Sequence, residues 1–467
     1  MISRRAAIIS ALAAGFAATA RAQTVPAAMS GDASASQTIL DLARRSIEVN
    51  GKAASVFGIR QPDGTFGVRT EIGKPFRVRV VNRIDEPSLI HWHGLTPPWW
   101  QDGVPGISGP PIPAGGSADY DFPLTFGGTF WMHSHQGLQE QSLMLAPLII
   151  RDASDRPDQP EVVVLLDDFS FIAPEEIYER LRKRRMPKMT RMAAMGRTGA
   201  VPPDLNDVKY DAFLANYRTL ADPEIVRVEP GSQVLLRVIN SSSMSNYHLD
   251  LGQLKGELIA VDGSRIVPLR GHRFPIAVAQ RLDIRLTIPR EPGAYPVLAV
   301  LEGERRRTGI VLAAGRADIA SIPEVTATPS LALERHLRAA EPLKPRKADR
   351  VYTLNLTGEM AGYVWSINNT VWNEEVPPPP LAKGERVELI MINRTGMSHP
   401  MHLHGHRYQV VEIGGKSFPG AVRDTVLVPP GERVVVAFDA DNPGLWAFHC
   451  HLLYHLEAGM FQTFRYV

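Results

Sequence analysis

One pattern of ten residues occurs three times in this chain and constrains the fold more than any other feature. Gly73-Lys-Pro-Phe-Arg-Val-Arg-Val-Val-Asn82, Gly231-Ser-Gln-Val-Leu-Leu-Arg-Val-Ile-Asn240 and Gly384-Glu-Arg-Val-Glu-Leu-Ile-Met-Ile-Asn393 each run from a glycine to an asparagine. Between these ends apolar and polar residues alternate and β-branched side chains are frequent, which predicts a strand with one buried face. Copies so widely spaced cannot be turns of a solenoid, whose repeat is about 20–50 residues; they imply three similar domains. With 38 Gly and 38 Pro to make turns, the expected class is all-β: three Greek-key β-sandwich or barrel domains with few short helices. The domains are expected over about 38–151, 161–318 and 351–467, with a polar linker at 152–160 and a partly helical connector at 321–350.

Ten of the 14 histidines fall into four motifs placed in register with this repeat. They are His91-Trp-His93-Gly94, His133-Ser-His135, His399-Pro-Met-His402-Leu-His404-Gly405, and His449-Cys450-His451 followed by His455 and Met460. His91 and His93 stand nine and eleven residues after Asn82, as His402 and His404 do after Asn393; the same offsets from Asn240 reach Leu249 and Leu251. Gly128 precedes His133 by five residues, Gly444 precedes His449 by five, and Gly293 leads to Leu298-Ala299-Val300. The outer domains therefore carry paired histidine hairpins, and the middle domain has apolar residues in their place. Residues i and i+2 of a strand face the same way, so each His-x-His can present two imidazoles to one metal cluster. A single such pair would read as surface or core; four at equivalent offsets do not.

Imidazole suits copper, zinc and iron, but one thiolate with a nearby methionine narrows the choice to copper. His399, Cys450, His455 and Met460 form the His2Cys set with a weak axial Met that makes a blue-copper electron-transfer site. The eight paired histidines are too many for one further ion and enough for a cluster. Cys450 is the only cysteine. Strand alternation points it away from its neighbours His449 and His451, so the thiolate of one centre is joined through backbone to ligands of the other. Such coupling suits electrons taken in at one place and spent at another.

These motifs resemble those of the multicopper oxidase family, in its three-domain, laccase-like bacterial form, and the resemblance spans nearly the whole chain after its leader. It implies cupredoxin-like domains and four copper ions. His399, Cys450 and His455, with Met460 axial, would hold the type 1 copper. His91 and His402 would hold the type 2 copper, and His93, His133, His135, His404, His449 and His451 the type 3 pair. The implied reaction is one-electron oxidation of a donor at type 1, coupled to four-electron reduction of dioxygen to water at the trinuclear cluster. That reduction consumes protons, so a nearby acid is expected. Asp102, in Trp-Gln-Asp-Gly, resembles an acid that family members carry there and is the candidate proton donor or ligand partner; a turn-forming Asp before Gly103 is the competing reading. Many bacterial relatives have Glu directly after the last type 1 histidine. Here Leu456 stands there and Glu457 follows, in a segment closer to the fungal version, which leaves Glu457 as a second candidate for proton relay. The axial Met favours a potential toward the lower end for the family, hence easily oxidised donors: phenols, aromatic amines, or the metal ions Cu(I) and Mn(II).

The alternatives are distinct. A non-enzymatic copper-binding electron-transfer protein needs only the type 1 set and leaves eight histidines unexplained. A nitrite-reducing copper enzyme would need a trimer, whereas one chain here supplies every ligand and is expected to be a monomer. At the N-terminus, Ser3-Arg4-Arg5, the apolar run from Ala6 to Ala20, and Ala20-Arg21-Ala22 read as a signal peptide of the twin-arginine type over 1–22, cleaved near Ala22 and delivering the protein to the periplasm. An ordinary secretory signal is the competing reading. The 51 basic and 49 acidic residues give no argument for nucleic acid, and no apolar stretch is long enough to span a membrane. From Ala173 to Gly199 an acidic start turns basic, as a helix dipole favours. Met186, Met189, Met192 and Met195 then recur every third residue, as soft Cu(I) ligands or as packing side chains.

Overall fold

A computed structural model describes residues 37–153, 155–156, 159–183, 205–315 and 331–467. The leader and Met186, Met189, Met192 and Met195 lie outside the described residues.

The three repeated segments form the strands Pro75–Asn82, Gln233–Asn240 and Arg386–Asn393, and each holds the same place in its sheet. Each pairs in parallel with an earlier strand of its domain: Thr38–Val49, Glu161–Phe169 and Arg350–Glu359 respectively. Each pairs antiparallel on its other edge with Ser117–Pro123, Arg281–Thr287 and Arg433–Asp439. The asparagine that ends each copy does the same work three times. The Nδ2 of Asn82, Asn240 and Asn393 each donates to two backbone carbonyls, and each Oδ1 accepts from the backbone N–H two residues on. All three are buried. A buried amide must satisfy its donors and acceptor, and these do so by tying the strand's exit loop to a neighbouring loop.

The six sheets pair into three sandwiches. The four-stranded sheet of Pro75–Asn82 packs on a second four-stranded sheet containing Ile90–His93 and Gly128–Ser134. The middle domain joins a six- and a five-stranded sheet, and the third joins the seven- and five-stranded sheets. The protein is thus all-β with cupredoxin-like sandwiches, and the described residues contain two α-helices, Pro174–Lys183 and Leu453–Glu457. The former carries Glu175 and Glu176 in its first turn and Arg180, Arg182 and Lys183 in its last, which complements the helix dipole; it seats Ile177 and Leu181 on the core. Pro75–Asn82 alternates exposed and buried as a half-buried strand should, but Gln233–Asn240 is buried on both faces after its first residue. The second face of the middle copy meets the first domain: Arg237 there is ion-paired with Asp283 and Glu161 and donates to Thr129 Oγ1 (3.1 Å).

Where the outer domains carry histidines, the middle domain packs core. Leu249 lies opposite Ala299 in the strand pair Tyr247–Asp250 and Gly293–Leu301, and both are buried. Just beyond that pair, burial pushes the Glu302 carboxyl up to about 7, although Asn246 Nδ2 donates to it (2.7 Å). A raised carboxyl contributes stability that is fully present below about pH 4.3 and is lost as pH rises through 7. Glu302→Gln keeps the acceptor without the charge. It is expected to stabilise the protein by about 2 kcal/mol at pH 8 and to give no gain near pH 4, measured as thermal midpoints of the metal-free chain.

Candidate metal centre

Two antiparallel strand pairs from different domains present the histidines; neither is the hairpin the sequence suggested, because strands of the opposite sheet intervene between the two partners of each. In the first, Ile90–His93 pairs with Gly128–Ser134 and sets His91 opposite His133. In the third, His399–Leu403 pairs with Leu445–Cys450 and sets His402 opposite His449 and Met401 opposite Cys450. The strand pairs meet across the domain seam and their rings interleave. Ring centres lie 3.9 Å apart for His91 and His404, 3.9 Å for His93 and His402, and 5.2 Å for His135 and His449. All eight paired histidines enter one contiguous group, with donor atoms within 4.8 Å of one another in sets such as His91, His402, His404 and His135, His404, His449.

Most of these rings are held by one nitrogen so that the other faces the group. His91 Nδ1 donates to the Asp102 carbonyl (2.9 Å) and His404 Nδ1 to the Asp102 carboxylate (2.8 Å). His133 Nδ1 lies 2.7 Å from Glu140 Oε2, and His451 Nδ1 lies 3.9 Å from the other oxygen of the same carboxyl. His93 Nε2 donates to Asp424 Oδ1 (3.0 Å) and His402 Nδ1 to the Asp424 carbonyl (2.8 Å). His449 Nδ1 donates to the carbonyl of Cys450 (2.9 Å). Three acidic residues thus each reach one histidine of the first domain and one of the third. The remaining nitrogens of His91, His93, His133, His402 and His451 are buried with no hydrogen-bond partner. His404 Nε2 and His135 Nε2 face His449 Nε2 at 2.9 and 3.4 Å. Burial and the neighbouring imidazoles hold the pKa values of His93, His133, His402, His404, His449 and His451 well below the usual histidine range, so their lone pairs stay available. Buried polar atoms with no protein partner call for an external one. Neutral imidazoles oriented by carboxylates and carbonyls are how proteins hold metal.

A second group forms on the far side of the same strand. Cys450 Sγ lies 3.5 Å from His399 Nδ1 and 3.8 Å from His455 Nδ1, and the two nitrogens are 3.2 Å apart. Met460 is buried; its carbonyl accepts from Cys450 N–H (3.1 Å) and its N–H donates to the His455 carbonyl (3.0 Å). The outer nitrogens are fixed here as well, His399 Nε2 to Thr395 Oγ1 (2.7 Å) and His455 Nε2 to Asp207 Oδ2 (2.9 Å). Trp365 stacks on the His455 ring at 3.9 Å. Burial pushes the Cys450 thiol up, so a thiolate here requires a cation beside it. One thiolate and two imidazoles in an apolar pocket fit copper.

Asp102 is at the cluster, buried and engaged with two of its histidines. Glu457 is not: its side chain is exposed at the end of Leu453–Glu457, and its backbone carbonyl accepts from Tyr178 Oη (3.2 Å). His406, outside the motifs, hydrogen-bonds the carbonyl of His404 (3.0 Å). Sequence reasoning missed Glu140, Asp424 and Asp207. Glu140 carries at most a weak signal, the first acid after His135, five residues on. Asp424 and Asp207 carry none, because their partners His93 and His455 are 331 and 248 residues away.

Three models described as multicopper oxidase match the chain, over residues 44–155, 162–316 and 346–467. The chain is 29% identical over 420 residues to the multicopper oxidase MmcO of Mycobacterium tuberculosis, covering 86% of this chain and 81% of that protein. It is 26% identical over 550 residues to a copper resistance protein A homolog of Pseudomonas syringae pv. tomato, covering 91% of each. Among solved structures, the laccase of Botrytis aclada superposes with a TM-score of 0.76 at 22% identity, over 92% of this chain and 88% of that one.

Asp102→Ala removes the carboxylate that holds His404. It is expected to weaken metal retention by the eight-histidine group about 10–100-fold, read as metal per chain after dialysis against a chelator. The Cys450 site, fixed by other partners, should keep its ion.

Proposed function

The chain belongs to the multicopper oxidase family, copper-dependent oxidoreductases with laccase-like activity that use dioxygen as acceptor, and from that premise we propose how its residues divide the work. His399, Cys450, His455 and Met460 would hold one copper; the eight paired histidines would hold three, making four per chain. His91 and His402 take the single ion of that cluster and the other six take the pair. Copper, when bound, would take electrons one at a time from the donor beside Cys450 and pass four of them to dioxygen at the cluster, giving water. The observation that carries the reading is the adjacency of Cys450 to His449 and His451. One peptide segment is ligand to both sites, and His449 Nδ1 donates to the Cys450 carbonyl (2.9 Å), so electrons have a short covalent path between them. Asp102, joined to one histidine of each outer domain, is the residue best placed to hold a proton beside the cluster.

The donor is a phenol or a similar small aromatic. A cavity of about 590 Å³ is lined by Ile177, Arg180, Asp207, Lys209 and Arg306 among others, and Asp207 links it to His455. The Asp207 carboxylate accepts from His455 Nε2 (2.9 Å) and Tyr363 Oη (2.6 Å), and its other oxygen is buried without a partner. The carboxylate thus fixes the ring of His455, through which the electron would leave. The lining sets Arg180, Lys209 and Arg306 against Asp207 and Glu304, a small positive excess that favours a neutral or anionic donor over a metal cation. Oxidation of Cu(I) is the second reading, favoured by relatives named for copper resistance. Export to the periplasm by the twin-arginine route rests on the sequence of the leader, and a monomeric state on one chain holding every ligand. No helix among the described residues is long and apolar enough to cross a membrane.

Oxygen uptake by the copper-loaded protein with a phenol, Cu(I) and Mn(II) in parallel tests the donor class, with the phenol expected to be fastest. About four coppers per chain are expected; one would mean an electron-transfer protein and two a nitrite-reductase-like site. Cys450→Ser should lose the blue absorption and all turnover while the fold persists, checked by circular dichroism. Asp207→Asn weakens the hold on His455 and should lower kcat/KM for a phenol and for ferrocyanide alike by about 10–100-fold, with a shift in the blue absorption.

A further inference from the structure

The middle domain gives the cluster no histidine, yet one of its side chains reaches the cluster's edge. Arg281 begins the strand Arg281–Thr287 and is fully buried. Its Nη1 donates to Asp424 Oδ1 (2.8 Å) and its Nη2 to Asp424 Oδ2 (2.5 Å). Its Nε donates to the Thr129 carbonyl of the first domain (3.1 Å), and its Nη1 also to the Ala279 carbonyl of its own (3.0 Å). One guanidinium therefore binds groups from all three domains. Asp424, gripped on both oxygens, accepts from His93 Nε2 (3.0 Å) with Oδ1 and from His402 Nδ1 (2.8 Å) with its carbonyl.

We propose that Arg281 is a positioning residue for the oxygen-reducing cluster: it locks the Asp424 carboxylate, and through it the ring of His93, at the seam between the outer domains. The geometry needs arginine. A planar fork engages both carboxylate oxygens and fixes the plane of the carboxylate; an ammonium supplies charge without that plane. The residue after His93 is shaped to the same clamp. Gly94 has φ +88°, and a Cβ on it would lie 2.5 Å from Arg281 Nη2 and 2.7 Å from Asp424 Oδ2. Only a residue without a side chain leaves the clamp its space.

Arg237 provides the comparison. It is equally buried, belongs to the same domain and also contacts Thr129, but its acidic partners are Asp283, Glu161 and Asp155, none of which touches a cluster histidine. It ties domains together without reaching the site, so its loss measures what the removal of a buried arginine does to the fold alone.

The clamp rests on the reading of His93 and His402 as copper ligands, and the test separates the two ideas. The unsubstituted protein, Arg281→Lys and Arg237→Lys are each loaded with copper. Copper per chain, blue absorption, thermal midpoint, and kcat and KM for one phenol are then measured. Fewer than about four coppers on the unsubstituted protein would undo the ligand reading itself. With four bound there, Arg281→Lys is expected to fold and keep the blue absorption and the KM for the phenol, but to lose copper from the cluster or kcat about 10–100-fold. Arg237→Lys is expected to lower the thermal midpoint at least as much with copper and kcat unchanged. The clamp is overturned if Arg281→Lys matches the unsubstituted protein in copper and kcat, if it fails to fold, or if Arg237→Lys loses cluster copper to the same degree.

Discussion

Everything at the centre of this protein depends on carboxylates that cross a domain boundary to hold imidazoles. Eight histidine rings buried together repel one another when protonated and wander when unheld. Asp102, Glu140 and Asp424 address both problems. Each engages or approaches one ring from the first domain and one from the third, fixing which nitrogen carries the proton and which points inward. The isolated cost of burying such acids would be several kcal/mol each. Here they are set against N–H donors in a low-dielectric interior, where those hydrogen bonds are strong. Burial and the nearby Asp168 hold the Glu140 carboxyl well above its ordinary range, so even the acid least supplied with partners need not sit there charged.

The division of labour between the domains follows from this seam. The outer sandwiches supply the metal-facing side chains on equivalent strands. The middle sandwich carries Leu249 and Ala299 in the corresponding pair and packs them as core. It is nonetheless more than a spacer. Its central strand is buried on both faces because it meets the first domain, and the neighbouring strand begins with the arginine that reaches Asp424. Relatives with similar sandwiches are called laccases, copper resistance proteins and iron transport oxidases. Shared architecture therefore leaves the donor to be decided around His455, by the cavity that Asp207 borders.

Much of this was legible in the sequence because it is local or periodic. The ten-residue repeat predicts three strands, and the strands Pro75–Asn82, Gln233–Asn240 and Arg386–Asn393 hold equivalent sheet positions. His-x-His at fixed offsets predicts rings that share a face, and His91, His93, His402 and His404 stand within a few ångströms of one another. What escaped was whatever joins distant segments. Asp424 follows His404 by twenty residues with no periodic cue, and its carboxylate is engaged by His93 and Arg281, each of which reaches it from another domain. Asp207 likewise has meaning only beside His455. Glu457 shows the reverse error: sequence proximity to a ligand suggested a role, but the short helix turns its side chain outward.

The seam also dictates when the protein can become a metalloprotein. His93 and Asp424 are 331 residues apart, and His135 and His449 are 314 apart, while the sulfur-centred group lies wholly within the last strands. During synthesis the first two sandwiches can fold as they emerge from the ribosome, but neither site exists until the final strand has been released and has docked. A nascent or truncated chain can therefore hold at most part of a site, such as His91, His93 and His133 of the first domain, and full loading must be a post-translational event on the finished chain.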